Sequence, residues 1–291
     1  MSTEEALLEY DHCAKQIFAF ENKKWSTATE KFRATALQDA VQALVHRRNM
    51  GENLLEHPIL HNAKGQCFVC AMPAKAVGEP WRLRSFYSEH CRFDSHLKIW
   101  EAARATTAAT SFFKPAPLPL MTGGTEDFID AAIGCNNPVE YLIKEAADSI
   151  GSSKRLGCLV SIGTGTRAIQ IERAPTGLKN ILHLPKFFKE AVGALKNTAT
   201  DGEETHRRVH AKLGRHSNAY FRFNIPEVAD KVRLHEYRKM DILKATTAAH
   251  LDDSSVAAQV LAAATTLARN SPEHGLSLGH IGENGHTAGL R

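Results

Sequence analysis

What the chain has little of restricts it first. No stretch approaches the roughly 20 consecutive apolar residues needed to cross a bilayer; the longest weakly apolar window, residues 257–268, spans 12 and carries Gln259 and two threonines. A transmembrane segment is therefore not expected. The N-terminal run "MSTEEALLEYDHCAKQIFAF" has no basic segment followed by an apolar one and does not read as a secretory signal. Charge of one sign is also lacking. The 36 basic and 32 acidic residues leave +4, and the basic ones are scattered, which argues against nucleic acid as a partner. Six widely spaced cysteines set mostly among apolar residues read as reduced thiols and not as a disulfide framework, pointing to a cytoplasmic protein.

What is present is ordinary globular material, 43% apolar and 23% charged over 291 residues, enough for one large domain or two small ones. Helical spacing gives residues 4–20 an apolar face of Leu7, Leu8, Tyr10, Ala14, Ile17 and Phe18. A second helix is expected from Thr35, as N-cap, to "RRNMG". The pattern then changes. "CFVCAM" (67–72) and "RLGCLVSIG" (155–163) are short continuous apolar runs of the kind covered on both faces in a parallel sheet, whereas "WRLRSFY" (81–87) alternates and predicts an edge strand. Helix signals stand between them, in "SHLKIWEAARATTAA" and in "NNPVEYLIKEAADSI" with Asn137 as N-cap and Pro138 in the first turn. Strands and helices alternating in this order predict an α/β layered fold. "YFRFNI" (220–225) adds a strand, and from Asn270 the Gly- and His-rich sequence predicts a disordered tail.

The candidate site lies in "DFIDAAIGCNNPVE" (127–140). On its residues alone, Asp130 either ends a strand and caps a turn or forms half of a catalytic pair. The order "VCAMPAKA", "LRSFYSEH", "IWEAARATTAATSFFKPAP", "FIDAAIGCNNPVE" and "CLVSIGTG" resembles the patatin-like phospholipases, especially fungal members, over about residues 1–225.

The resemblance implies a three-layer α/β lipid acyl hydrolase with a mainly parallel sheet and a serine–aspartate dyad without histidine. Its substrate would be an acyl lipid or a membrane surface. No cofactor or metal site is expected from the sequence. Asp130 matches the family aspartate by Phe128 and Ile129 before it and Asn136, Asn137 and Pro138 after it. The family has glycine where this chain has Ala131. The resemblance also places a glycine-rich oxyanion turn and a Gly-x-Ser-x-Gly elbow well before the aspartate, and neither occurs before Asp130. The expected organisation is therefore residues 1–225 as a patatin-like domain incomplete at its N-terminal side, 226–269 as a helical extension and 270–291 as the tail. Such a chain would be inactive by itself, as a piece of a lipid hydrolase residing in the cytoplasm or peripheral to membranes. The alternative is a non-catalytic lipid-binding or interaction module that keeps the scaffold.

Other motifs are weaker. "GLSLG" (275–279) puts Ser277 in the elbow pattern, but neither a strand precedes it nor a helix signal follows, so it is expected to be a decoy. "SIGTGT" (161–166) has no phosphate-loop lysine and reads as a scaffold turn. Cys67 and Cys70 have zinc-like spacing, but at i and i+3 of an extended run they point to opposite faces. His206 and His210 share a helix face without a third ligand and read as a solvated surface. Lys114 with Phe112 and Phe113 reads either as a lipid-facing mouth or, for the aromatics, as core.

Overall fold

Helices and strands follow one another through the first half of the chain, with two strands, Ala116–Pro119 and Thr125–Asp130, standing together between the two expected helices. In the computed structural model the described residues are 1–24, 30–49, 65–76, 78–90, 92–93, 96–110, 112–165, 198–225, 232, 235–269 and 275–283. Among them the chain is a mixed α/β protein that divides into two units, one from the described residues of 1–135 and 234–240, the other from those of 136–170, 197–233 and 241–291.

The first unit opens with α1 (Thr3–Ile17), started by a reciprocal cap in which Ser2 Oγ accepts the Glu5 N–H and Glu5 accepts the Ser2 N–H. Its expected apolar face is only half used: Ala14 and Ile17 are buried, whereas Leu8 and Tyr10 are exposed. Helix α2 (Ala34–Arg47) begins after Arg33 and not at Thr35. Strands β1 (Phe68–Pro73) and β2 (Trp81–Arg84), helix α3 (Ile99–Thr106), and strands β3 (Ala116–Pro119) and β4 (Thr125–Asp130) follow.

The four strands lie in the order β2-β1-β4-β3, and every pairing is antiparallel. The expectation of a mainly parallel sheet is thus corrected. A continuous apolar run reports that both faces of a strand are covered, not the direction of its neighbours. The Ala71 face of "FVCAMP" is covered by α3, which buries Ala102 and Ala105 against Ala71, Leu83, Ala116, Leu118 and Phe128. On the other face Cys70 and Met72 lie against the turn of Gly134 and Cys135. Trp81 meets Phe93 and Phe128 edge-on at centroid distances of 5.3 and 5.2 Å, geometry that adds to area burial. β2 is an edge strand, as its alternation predicts.

A second aromatic cluster joins Ile17, Phe32, Leu37 and Ala40 to Phe112 and Phe113, which are 7% and 5% exposed. The two aromatics therefore belong to the core and do not line a mouth.

The second unit holds α4 (Val139–Ile150), β5 (Leu159–Ile162), α5 (Thr198–Leu213), β6 (Tyr220–Phe223), α6 (Met240–Leu251), α7 (Ser254–Arg269) and α8 (Leu278–Glu283). β5 and β6 pair in parallel, Leu159 opposite Tyr220 through Ile162 opposite Phe223. Val139 and Ile143 of α4 and Val209 and Leu213 of α5 build a core with Leu159, Tyr220 and Ile281. Ile281 is fully buried, so residues 275–283, within the stretch read from sequence as tail, belong to this core. No helix of the described residues is long and apolar enough to cross a membrane.

Candidate active site

Asp130 is the last residue of β4, an interior strand, and sits opposite Ala71 of β1. Its backbone is held from a second direction, because its N–H donates to the carbonyl of Ala108 at 3.1 Å. The carboxylate itself has one tie: Oδ1 accepts the Ala132 N–H at 2.9 Å, a local turn of the kind Asp favours. Among the described residues no other group donates to the carboxylate and no basic side chain pairs with it, leaving Oδ2 free to accept a proton.

Desolvation by burial pushes the Asp130 carboxyl up from 3.8 to about 6, opposed only by the Ala132 N–H. A carboxylate with one fixed and one open oxygen, and basicity moved toward neutrality, is suited to taking a proton from a hydroxyl.

The turn after Asp130 is one helical loop, closed by the Cys135 N–H donating to the Ala131 carbonyl at 2.8 Å. Ala131 is 3% exposed, and its φ is not positive; the left-handed backbone that would demand glycine is absent at this position. Gly134 carries the positive φ, at 116°. The alanine that departs from the family pattern therefore seats its Cβ without backbone strain. Cys135 is buried in the same turn, and hydrogen bonding to Cys70, followed by burial, raises its thiol well above the usual range. That thiol stays protonated and is no nucleophile.

Asn137 has a structural task that no local sequence pattern marks. In the second unit its Nδ2 donates to the Gly202 carbonyl at 3.1 Å, and its Oδ1 accepts the Ser161 hydroxyl at 3.0 Å. Arg222 Nη1 donates to Ser161 Oγ at 3.0 Å and Nη2 to Glu203 Oε1 at 3.1 Å, and the Asn224 amide donates to the same Glu203 oxygen at 2.7 Å. Asn137 and Ser161 are 6% and 7% exposed, so this network satisfies buried groups that would otherwise be costly. The helix cap falls one residue later than expected, at Pro138, and Asn137 Oδ1 reaches the Val139 N–H at 3.4 Å. A polar Ser161 inside the "CLVSIG" run was the available signal.

The remaining motifs resolve as follows. Ser277 Oγ accepts the His280 N–H at 3.4 Å at the start of the six-residue α8, and its backbone bridges Arg155. A Cβ on Gly275 would come within 2.2 Å of the Leu156 carbonyl oxygen, and one on Gly279 within 3.1 Å of Ser152. Both glycines thus permit close approach to the 152–156 segment. Against the sequence expectation a helix follows Ser277 directly, and residues 271–274 lie outside the described residues. "SIGTG" is tied down in the same manner: Gly163 donates to the Phe223 carbonyl and Gly165 to Asn224 Oδ1, both at 2.8 Å. Thr166 lies outside the described residues.

Cys67 is exposed while Cys70 is buried, the opposite facing their spacing implies. Among the described residues no group of three or more His, Cys, Asp or Glu is placed to hold a metal ion. His206 is half-buried and bonds the Tyr220 hydroxyl at 3.1 Å, so it is less solvated than its helix spacing suggests.

The class these features define is a mixed α/β protein, and the proteins it is similar to in sequence are phospholipases. The chain is 26% identical over 213 residues to Patatin-like phospholipase 1 of Plasmodium falciparum, covering 65% of this chain and 30% of that protein. It is 30% identical over 162 residues to the Calcium-independent phospholipase A2-gamma of Mus musculus, covering 55% and 18%, and 29% identical over 164 residues to the human protein of that name, covering 56% and 18%. The similarity thus spans less than a third of the length of each of these relatives. No family model matches the chain.

Proposed function

We propose that this chain is the aspartate-bearing part of a patatin-like lipid acyl hydrolase, of three-layer α/β design, in which Asp130 is the general base of a serine–aspartate dyad. The observation that carries the reading is the Asp130 carboxylate itself, fixed at a strand end with one oxygen engaged and the other open. The names of the relatives supply the substrate class, phospholipids or other acyl lipids.

In the proposed reaction a serine hydroxyl gives its proton to Asp130 Oδ2 as its oxygen attacks the ester carbonyl. The proton then goes to the departing alcohol as the acyl–serine bond forms. Water, losing a proton to the same carboxylate, attacks the acyl–serine ester and releases the fatty acid; the proton returns to the serine. On this reading the nucleophile and the oxyanion donors are supplied by polypeptide not contained in this sequence, since neither a glycine-rich turn nor a Gly-x-Ser-x-Gly occurs before Asp130. On this reading the protein works in the cytoplasm at the surface of membranes.

A non-catalytic module keeping the same scaffold is the second reading, and the lack of a Gly-x-Ser-x-Gly elbow before Asp130 favours it equally. Turnover of a short acyl ester by the purified chain separates these from a third possibility. Both readings require no rate above buffer, and a rate that disappears in Ser277→Ala would contradict both.

A further inference from the structure

Helix α7 (Ser254–Arg269) has a composition that solvated helices avoid. From Ser254 to Ala268 it carries no charged residue and no histidine. Ala263 is its one buried residue, and the face turned away from it, Ser254, Ala257, Leu261, Ala264 and Ala268, is exposed. Those positions alternate in steps of three and four, the spacing of a seam between two helices. Leu261 is 68% exposed, an unusual state for the central leucine of an apolar stripe.

The charges at the two ends say what covers this face. Asp252 and Asp253 stand exposed before the helix and Arg269 closes it; Asp253 Oδ1 caps the helix start, accepting from Ser255 and Val256, with His250 as its nearby positive charge. Leu261 lies midway, eight positions from Asp253 and eight from Arg269.

A second α7 laid antiparallel about a two-fold axis through Leu261 therefore places each Arg269 beside the acidic pair of the other copy. Ser254 then meets Ala268, small against small, so that the helix axes can approach closely. A parallel pair would set acid against acid and arginine against arginine. A lipid surface suits the helix less well, because interfacial helices present large apolar residues and a basic polar face, and this one offers mostly alanine and no lysine.

We propose that this protein self-associates as a two-fold dimer through antiparallel pairing of α7 centred on Leu261. The proposal is independent of the enzymatic reading. A pair of helices of about 24 Å is a small interface, so association should be concentration-dependent. The test is sedimentation of the full chain over a concentration series, for wild type, Leu261→Lys and Arg269→Asp, with circular dichroism to verify that the variants are folded.

The expected result is a monomer–dimer equilibrium weakened roughly tenfold or more by Leu261→Lys. Arg269→Asp should weaken it several-fold at low salt, and the effect should fade as salt is added. A monomeric wild type at high concentration overturns the proposal, as does a dimer indifferent to both substitutions. Co-flotation of monomer with phosphatidylcholine vesicles, abolished by Leu261→Lys, would assign α7 to lipid and overturn it as well.

Discussion

Ala71 of β1 stands opposite Asp130 of β4 in an antiparallel register, so the candidate base is anchored by an interior strand and not by a loop. Together with the bond from its N–H to the Ala108 carbonyl, this fixes the Cα of Asp130 on two sides. A carboxylate on a rigid element keeps its aim.

The raised carboxyl of Asp130 makes a prediction about stability. Its folded value is about 6 against an ordinary 3.8, so between these pH values the folded chain holds a proton that the unfolded chain has released. The stability associated with the neutral form is complete below pH 3.8 and is lost as pH rises through 6. Asp130→Asn, which keeps the acceptor for the Ala132 N–H, should therefore stabilise the protein by about 1–3 kcal/mol at pH 7.5 and have little effect near pH 4. Urea unfolding at the two pH values checks this; an equal effect at both would show that the carboxyl is not raised.

The Asn137 network predicts a coupled loss. Asn137→Ala leaves the Gly202 carbonyl without this donor and the Ser161 hydroxyl proton without its acceptor in a buried place, Ser161 Oγ keeping the bond from Arg222, and should cost about 1–3 kcal/mol. Ser161→Ala should cost less, and the double variant less than the sum, because the two residues share a bond. Additive costs in a double-mutant cycle would show that the network is not a unit.

Ser277 and its glycines make a contrasting pair of predictions. Ser277→Ala removes a helix-start acceptor and should cost about 0.5–1 kcal/mol. Gly275→Ala drives a Cβ into the Leu156 carbonyl, 2.2 Å away, and should cost more, about 2 kcal/mol or above, because the obstacle is backbone. Thermal melts that ranked the two in the opposite order would return the motif to consideration as something other than a packing device.

The legibility of this chain varied by physical cause. The strands at Phe68–Pro73 and Leu159–Ile162 were visible as short apolar runs, but only the first is covered on both faces. Leu159 and Ser161 are buried while Ile162 is 78% exposed, so the expected two-sided cover fails there. The edge position of Trp81–Arg84 followed from its alternation. Strand direction was not visible, since antiparallel neighbours capped by a helix leave the same apolar run. The β3–β4 hairpin is nearly silent in hydrophobicity, and Pro117, Pro119 and the acids Glu126 and Asp127 dilute it. Its signal was the Gly123–Gly124 turn, whose φ values of 85° and 80° only glycine adopts readily. Asp130 was found by its neighbours, whereas Arg222 and Glu203, which complete the Asn137 network, lie some 60–90 residues further on and carried no local pattern.

The most direct test of the account is a measurement on the chain joined to a patatin-like segment that supplies a Gly-x-Ser-x-Gly serine. In that active form Asp130→Asn keeps the shape and removes the proton acceptor, and kcat/KM for acyl hydrolysis should fall by roughly 10² or more. The accompanying Ala131→Gly should leave the rate near its starting value, because Ala131 occupies unstrained backbone. A restored enzyme whose kcat/KM is unchanged by Asp130→Asn would contradict the account and leave Asp130 as the cap of a strand end.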